Sequence, residues 1–154
     1  MPLPQDTRIG AVSLTVRDLS TSLRFYTGIL GFVEHRREGE VSRLGPDGGR
    51  VLIELHERPN ATAPPRRSTG LYLSDPDGLG IEIYSDRPRD AWRNSNGELA
   101  MATDPLDLEG VYNESGADTP WRGLERDTVM GHVHLHVPHL DTAEAFYCGQ
   151  IGFE

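Results

Sequence analysis

Gly131-His132-Val133-His134-Leu135-His136-Val137 alternates three histidines with three apolar residues. On an extended backbone successive side chains point to opposite faces. Val133, Leu135 and Val137 then share one face and the three imidazoles the other. The pattern predicts a strand with one face on a core. The other face carries nitrogen donors of the type that bind iron, zinc or nickel.

The stretch decides the fold because it occurs twice. Gly10 placed on Gly131 aligns two segments without a gap: Val12/Val133, Leu14/Leu135, Val16/Val137, Leu19/Leu140, Thr21/Thr142, Phe25/Phe146, Tyr26/Tyr147, Gly28/Gly149, Gly31/Gly152 and Phe32/Phe153. The matches cover a strand, a helix and the turn out of it, which is a duplicated supersecondary unit rather than a solenoid. On the face that does not pack, Ala11, Ser13 and Thr15 of the first copy stand where the second has His132, His134 and His136. The scaffold is kept while the chemistry sits in one copy.

The first copy continues. Leu19, Leu23, Phe25, Tyr26 and Leu30 give a helix its apolar positions, Asp18 or Ser20 can cap it, and Gly31 can end it. Phe32 to Arg37, Glu40 to Leu44 and Arg50 to His56 read as strands, the last two joined by a turn at Pro46-Asp47-Gly48-Gly49. The order is β-α-β-β-β. Residues 59–69 read as a loop. Gly70 to Ser74 and Ile81 to Tyr84 read as strands around the breaker-rich turn Asp75-Pro76-Asp77-Gly78-Leu79-Gly80. Ile81 and Ile83 share a face there, leaving Glu82 as a lone carboxylate beside Tyr84. A polar stretch ending near Asp127, which Trp121 is expected to tack down, leads to the second copy. There Leu140 to Gln150 is expected as a helix with Asp141 as a cap, and Cys148 as a small packing residue.

At 154 residues the chain can bury a real core, and its net charge of −9 argues against nucleic-acid and anionic-membrane partners. No apolar run approaches the length of a membrane-spanning helix. One cysteine excludes an internal disulfide. Met1-Pro2-Leu3-Pro4-Gln5-Asp6 lacks the basic-then-apolar order of a secretory leader, so a cytoplasmic location is expected.

These motifs together resemble the vicinal oxygen chelate superfamily, which includes glyoxalase I, fosfomycin- and bleomycin-resistance proteins and the type I extradiol dioxygenases. The resemblance rests on Val16 to Phe32, with its Val-Arg-Asp-Leu, Phe-Tyr and Leu-Gly-Phe elements, and on Asp75 to Tyr84. Two more specific segments, Asp86 to Trp92 and Ala102 to Gly110, are similar to the two-domain, four-module extradiol enzymes of the catechol 2,3-dioxygenase type. The resemblance implies an α+β fold of repeated βαβββ modules. Residues 9–56 would form the first module, 57–86 a remnant of the second, 87–128 a linker region and 129–154 the start of a third, cut short. It also implies an Fe(II) site of two histidines and a carboxylate, with Zn, Ni or Mn as alternatives, taking a small catecholic substrate and O2. His132 and Glu82 match ligand positions. Tyr72, ten residues before Glu82, matches the catalytic tyrosine, and His134 is expected to face the substrate or support a ligand. The relatives' other histidine, after a Gly-Leu-Tyr strand, has no counterpart: Gly70-Leu71-Tyr72 runs straight into Leu73-Ser74-Asp75, as if a few dozen residues were missing. His35 and His56 match no ligand position. The alternatives are a glyoxalase-like Zn or Ni lyase or isomerase, and an inactive fragment or small-molecule-binding module of the same fold. A homo-oligomer is also expected.

Overall fold

The alternation of Val12–Val16 forms strand β1, with Val16 fully buried and Ser13 and Thr15 turned out. A computed structural model describes residues 2–4, 6–61, 72–84, 94–95, 98–99, 107–114 and 120–153. Asp18 caps helix α1 (Leu19–Gly28) by accepting from the Thr21 N–H at 2.6 Å, which holds its carboxyl below the usual range. The chain leaves α1 through Gly31 at φ +74, a conformation that costs a residue with a Cβ about 1–2 kcal/mol. Strands β2 (Val33–Glu38), β3 (Val41–Gly45) and β4 (Ile53–Glu57) follow. The sheet order is β1-β4-β3-β2, with β1 parallel to β4 and the other pairs antiparallel. The fold is α+β, and its first module has the β-α-β-β-β order expected from the sequence, with strand ends shifted by one to three residues.

The core lies between α1 and one face of this sheet: Val16, Leu19, Tyr26, Leu30, Leu44, Leu52, Ile53 and Leu55. Each fully buried aliphatic side chain contributes about 1.5–3 kcal/mol. The opposite face is polar. There Arg43 bridges Glu54 at 2.6 Å and Glu38 at 2.7 Å, and its guanidinium holds the Glu54 carboxyl below the usual range.

Beyond the module, β5 (Tyr72–Ser74) and β6 (Gly80–Glu82) form an antiparallel hairpin. Two-residue strands β7 (Asn94–Ser95) and β8 (Glu98–Leu99) pair, and α2 spans Leu108–Glu114. Helix α3 (Leu140–Glu144) widens into π-helical turns over Ala145–Ile151. No helix among the described residues is long and apolar enough to cross a membrane.

The second copy departs from expectation in several ways. Gly131 to Val137 is not a strand: it pairs with no other strand among the described residues, and Val133 and Leu135 are exposed. A strand needs a ladder partner to satisfy its backbone, and in the first copy β4 supplies it. The same lack of a covering sheet leaves Leu140 78% exposed and Cys148 on the surface, so Cys148 is not a packing residue. His139, not Asp141, is the N-cap of α3, and makes no side-chain cap bond. In the hairpin, β6 ends at Glu82, and Ile83 is exposed while Ile81 packs on the core. Trp121 is largely exposed, although its ring lies beside Gly31. Trp92 lies outside the described residues.

Candidate metal centre

Two anchors on the first module bring the site together. The first holds the β5–β6 hairpin. Asp75, 2% exposed, accepts from the Tyr26 hydroxyl at 3.1 Å and from the N–H groups of Asp77 and Leu79 at 2.9 and 2.8 Å. Asp77 accepts from the Arg17 N–H at 3.0 Å and pairs with its guanidinium. A hydrogen bond to a charged group contributes about 1.5–3 kcal/mol. Burial, and then the negative charge of Asp75, push the Tyr26 phenol far above its usual range, so it stays a donor. From this turn Ile81 packs against the module core, and Glu82 follows it.

The second anchor holds the segment before the histidines. Leu124 N–H donates to Gly31 O at 3.2 Å, Arg126 Nε to Gly48 O at 3.1 Å, and Met130 packs against the same core as Ile81. Two apolar residues on one core thus deliver Glu82 and His132, which are 50 residues apart in the chain, to one place.

There, His132 Nε2 lies 3.0 Å from Glu82 Oε2. His132 Nδ1 lies 3.3 Å from the Tyr84 hydroxyl, and the two rings stack at 5.4 Å with an interplanar angle of 20°. The His134 ring is centred 4.5 Å from that of His132. Donor atoms of Glu82, His132 and His134 all lie within 4.8 Å of one another, on exposed side chains, and this group could hold a metal ion. Gly131 has no room for a side chain, because a Cβ there would overlap the Tyr84 hydroxyl. Its partner in the repeat, Gly10, has open space around it.

The two residues read from the sequence as ligands, Glu82 and His132, are therefore in direct contact. Tyr72 is the register partner of Glu82 across the hairpin. His136 shares the alternation but is not in the donor group. His35 instead contacts the Pro46 carbonyl at 2.9 Å, and His56 lies on the polar face near Glu54. The sequence reading missed the anchors: Asp75 and Asp77 read only as turn formers, and Met130, just before Gly131, drew no notice although an apolar residue there signals the anchor.

The profile of the Glyoxalase/Bleomycin resistance protein/Dioxygenase superfamily matches residues 8–73. A Bacillus subtilis (strain 168) protein named Catechol-2,3-dioxygenase is 38% identical to this chain over 97% of its length. The match spans 66% of the length of that relative. It runs over 190 positions against the 154 residues present here, so at least 36 positions of the relative have no counterpart.

Proposed function

This chain belongs to the glyoxalase/bleomycin resistance/dioxygenase superfamily, and on that premise we propose that it is a metal-dependent extradiol ring-cleaving dioxygenase of the catechol 2,3-dioxygenase type. The substrate is a small catecholic ring with O2 as co-substrate, and the location is the cytoplasm. The observation that carries the reading is the contact of Glu82 with His132 at 3.0 Å in a chain so similar to a protein of that name.

The donor set fits the metal. An imidazole and a carboxylate are ligands of non-haem Fe(II), and of Zn, Ni or Mn as well. Donors about 3.0–3.5 Å apart suit neighbouring ligands of an ion whose bonds are about 2.0–2.2 Å long, and the Glu82–His132 pair has that spacing. When bound, Fe(II) supplies open positions where a catecholate and O2 meet. The protein's own groups hold and orient. Glu82 and His132 Nε2 are the ligands. Without an ion, His132 Nε2–H donates to the Glu82 carboxylate and Nδ1 accepts from the Tyr84 hydroxyl. With Nε2 engaged as a ligand, Nδ1 carries the proton and donates to the Tyr84 oxygen. A phenol serves both states because it can donate and accept. Tyr72, at its register position across from Glu82, is the residue that hydrogen-bonds the catechol hydroxyl and assists its deprotonation.

The test is oxygen uptake coupled to catechol loss by Fe(II)-reconstituted protein, with metal content measured alongside. His132→Ala and Glu82→Ala are expected to lose both metal and uptake. Protein that holds iron and consumes no O2 with catechol would sink the dioxygenase reading. That outcome would favour a second reading, a metal- and small-molecule-binding module without turnover, which the 36 or more missing positions support.

A further inference from the structure

We infer that His134 is the third protein donor of the metal site, in place of the histidine that this chain lacks after Gly70-Leu71-Tyr72. The inference rests on the proposed reading that Glu82 and His132 hold an ion. Residues two apart on an extended backbone face the same way. His132 and His134 do so, with ring centres 4.5 Å apart and rings inclined at 47°. Glu82 faces both, and the three donor atoms lie within 4.8 Å of one another. Two imidazoles and one carboxylate make the facial set that leaves positions open for exogenous ligands. The Glu82–His132 pair already has the spacing of neighbouring ligands. His134 has to close the remaining distance. Its side chain is exposed, and its backbone belongs to no strand pair among the described residues. A residue fixed in a sheet would have less freedom to adjust.

His136 is the internal contrast. It continues the same alternation in sequence and contributes no donor to the group. A generic affinity of histidine-rich surface for metal would use His136 as readily as His134. A built site uses His132 and His134 only. The first copy of the repeat supports the distinction. Where the second copy has His134 facing Glu82, the first has Ser13 facing Glu54 at 3.3 Å, and the Arg43 guanidinium supplies the positive charge there.

The test is Co(II) titration of the full chain, followed by the visible absorption of the bound ion, for wild type, His134→Ala and His136→Ala. Wild type is expected to take one Co(II) per chain. Loss of a donor should weaken binding at least as much as the loss of a supporting partner, by about 10–100-fold, for His134→Ala, whereas His136→Ala should stay within about twofold. In parallel, nitrogen NMR of the wild-type imidazoles during Zn(II) titration should show a ring nitrogen of His134 moving with that of His132, while His136 stays put. This second measurement needs no variant, so it decides the matter even where His134→Ala fails to fold. Wild-type affinity in His134→Ala, or an unmoved His134 ring, overturns the inference and leaves the Glu82–His132 reading standing. Equal losses in His134→Ala and His136→Ala also overturn it. Wild-type protein that binds neither Co(II) nor Zn(II) overturns that reading too, and is thereby distinguished from the other outcomes.

Discussion

The Tyr84 hydroxyl touches the one nitrogen of His132 that is turned away from Glu82, and its ring lies flat against the imidazole. This fixes both the tilt of His132 and which nitrogen faces the carboxylate. Tyr84→Phe keeps the stacking and removes the hydrogen bond. It is expected to weaken metal binding by about 10-fold, at the low end of the range for lost supporting partners, with folding unchanged by circular dichroism. Gly131→Ala should have a similar effect by a different route, because the new methyl group displaces the same hydroxyl. Isothermal titration with Co(II) checks both. If Gly131→Ala binds as wild type, the overlap is relieved without moving Tyr84 from His132.

At the scale of elements, the two copies of the repeat separate what a segment dictates about itself from what its neighbours must supply. The turn out of each helix is the same: Gly31 and Gly152 both take positive φ. Phe32 N–H donates to Tyr26 O at 3.0 Å, and Phe153 N–H to Tyr147 O at 3.1 Å. Even the edge-to-face rings recur, with Tyr26–Phe32 centred 5.9 Å apart and Tyr147–Phe153 6.1 Å. These features were legible because they depend on residues a few positions apart. The strand at Gly131 to Val137 was not, because its pattern describes a partner that the described chain does not place beside it. The alternation marked the histidine face as a donor face and the resemblance singled out Glu82 and His132 as candidate ligands; spacing could not bring residues 50 apart together, and the contacts that do so run through Asp75, Ile81 and Met130. Gly31 joins the two themes. A Cβ there would sit 2.5 Å from Gly123 Cα and 2.9 Å from the Trp121 ring, on a backbone already at φ +74. Gly31→Ala is expected to cost at least about 1–2 kcal/mol from the backbone conformation alone and to loosen the segment leading to His132. Gly28→Ala, in open space at the end of α1, should be neutral or stabilising by up to about 1 kcal/mol. Thermal unfolding of the two variants makes the comparison. Equal midpoints would show that the close approach of Gly31 and Gly123 is dispensable.

For the whole molecule, one well-packed module carries a second set of segments that sit on it through few contacts. Among the described residues the core comes from positions 16 to 55, and Val133, Leu135, Leu140, Phe146 and Phe153 are exposed. Stability is therefore uneven along the chain, and the segments around the histidines open at less cost than the sheet. If the proposed ion is held between Glu82 and His132, it would change this balance. It would act as a reversible cross-link that closes a loop of 50 residues, and the entropy lost on such closure grows only with the logarithm of loop length. Because only the folded arrangement brings the two ends together, ion binding and folding become one linked equilibrium. Free Co(II) at about 100 times its dissociation constant should stabilise the folded chain by about 2.7 kcal/mol. The unfolding midpoint should climb with ion concentration in wild type and stay flat in His132→Ala, as read by calorimetry. A midpoint indifferent to Co(II) would mean the two ends are not clipped. Where they are, the ion concentration around the protein sets how much of it is folded.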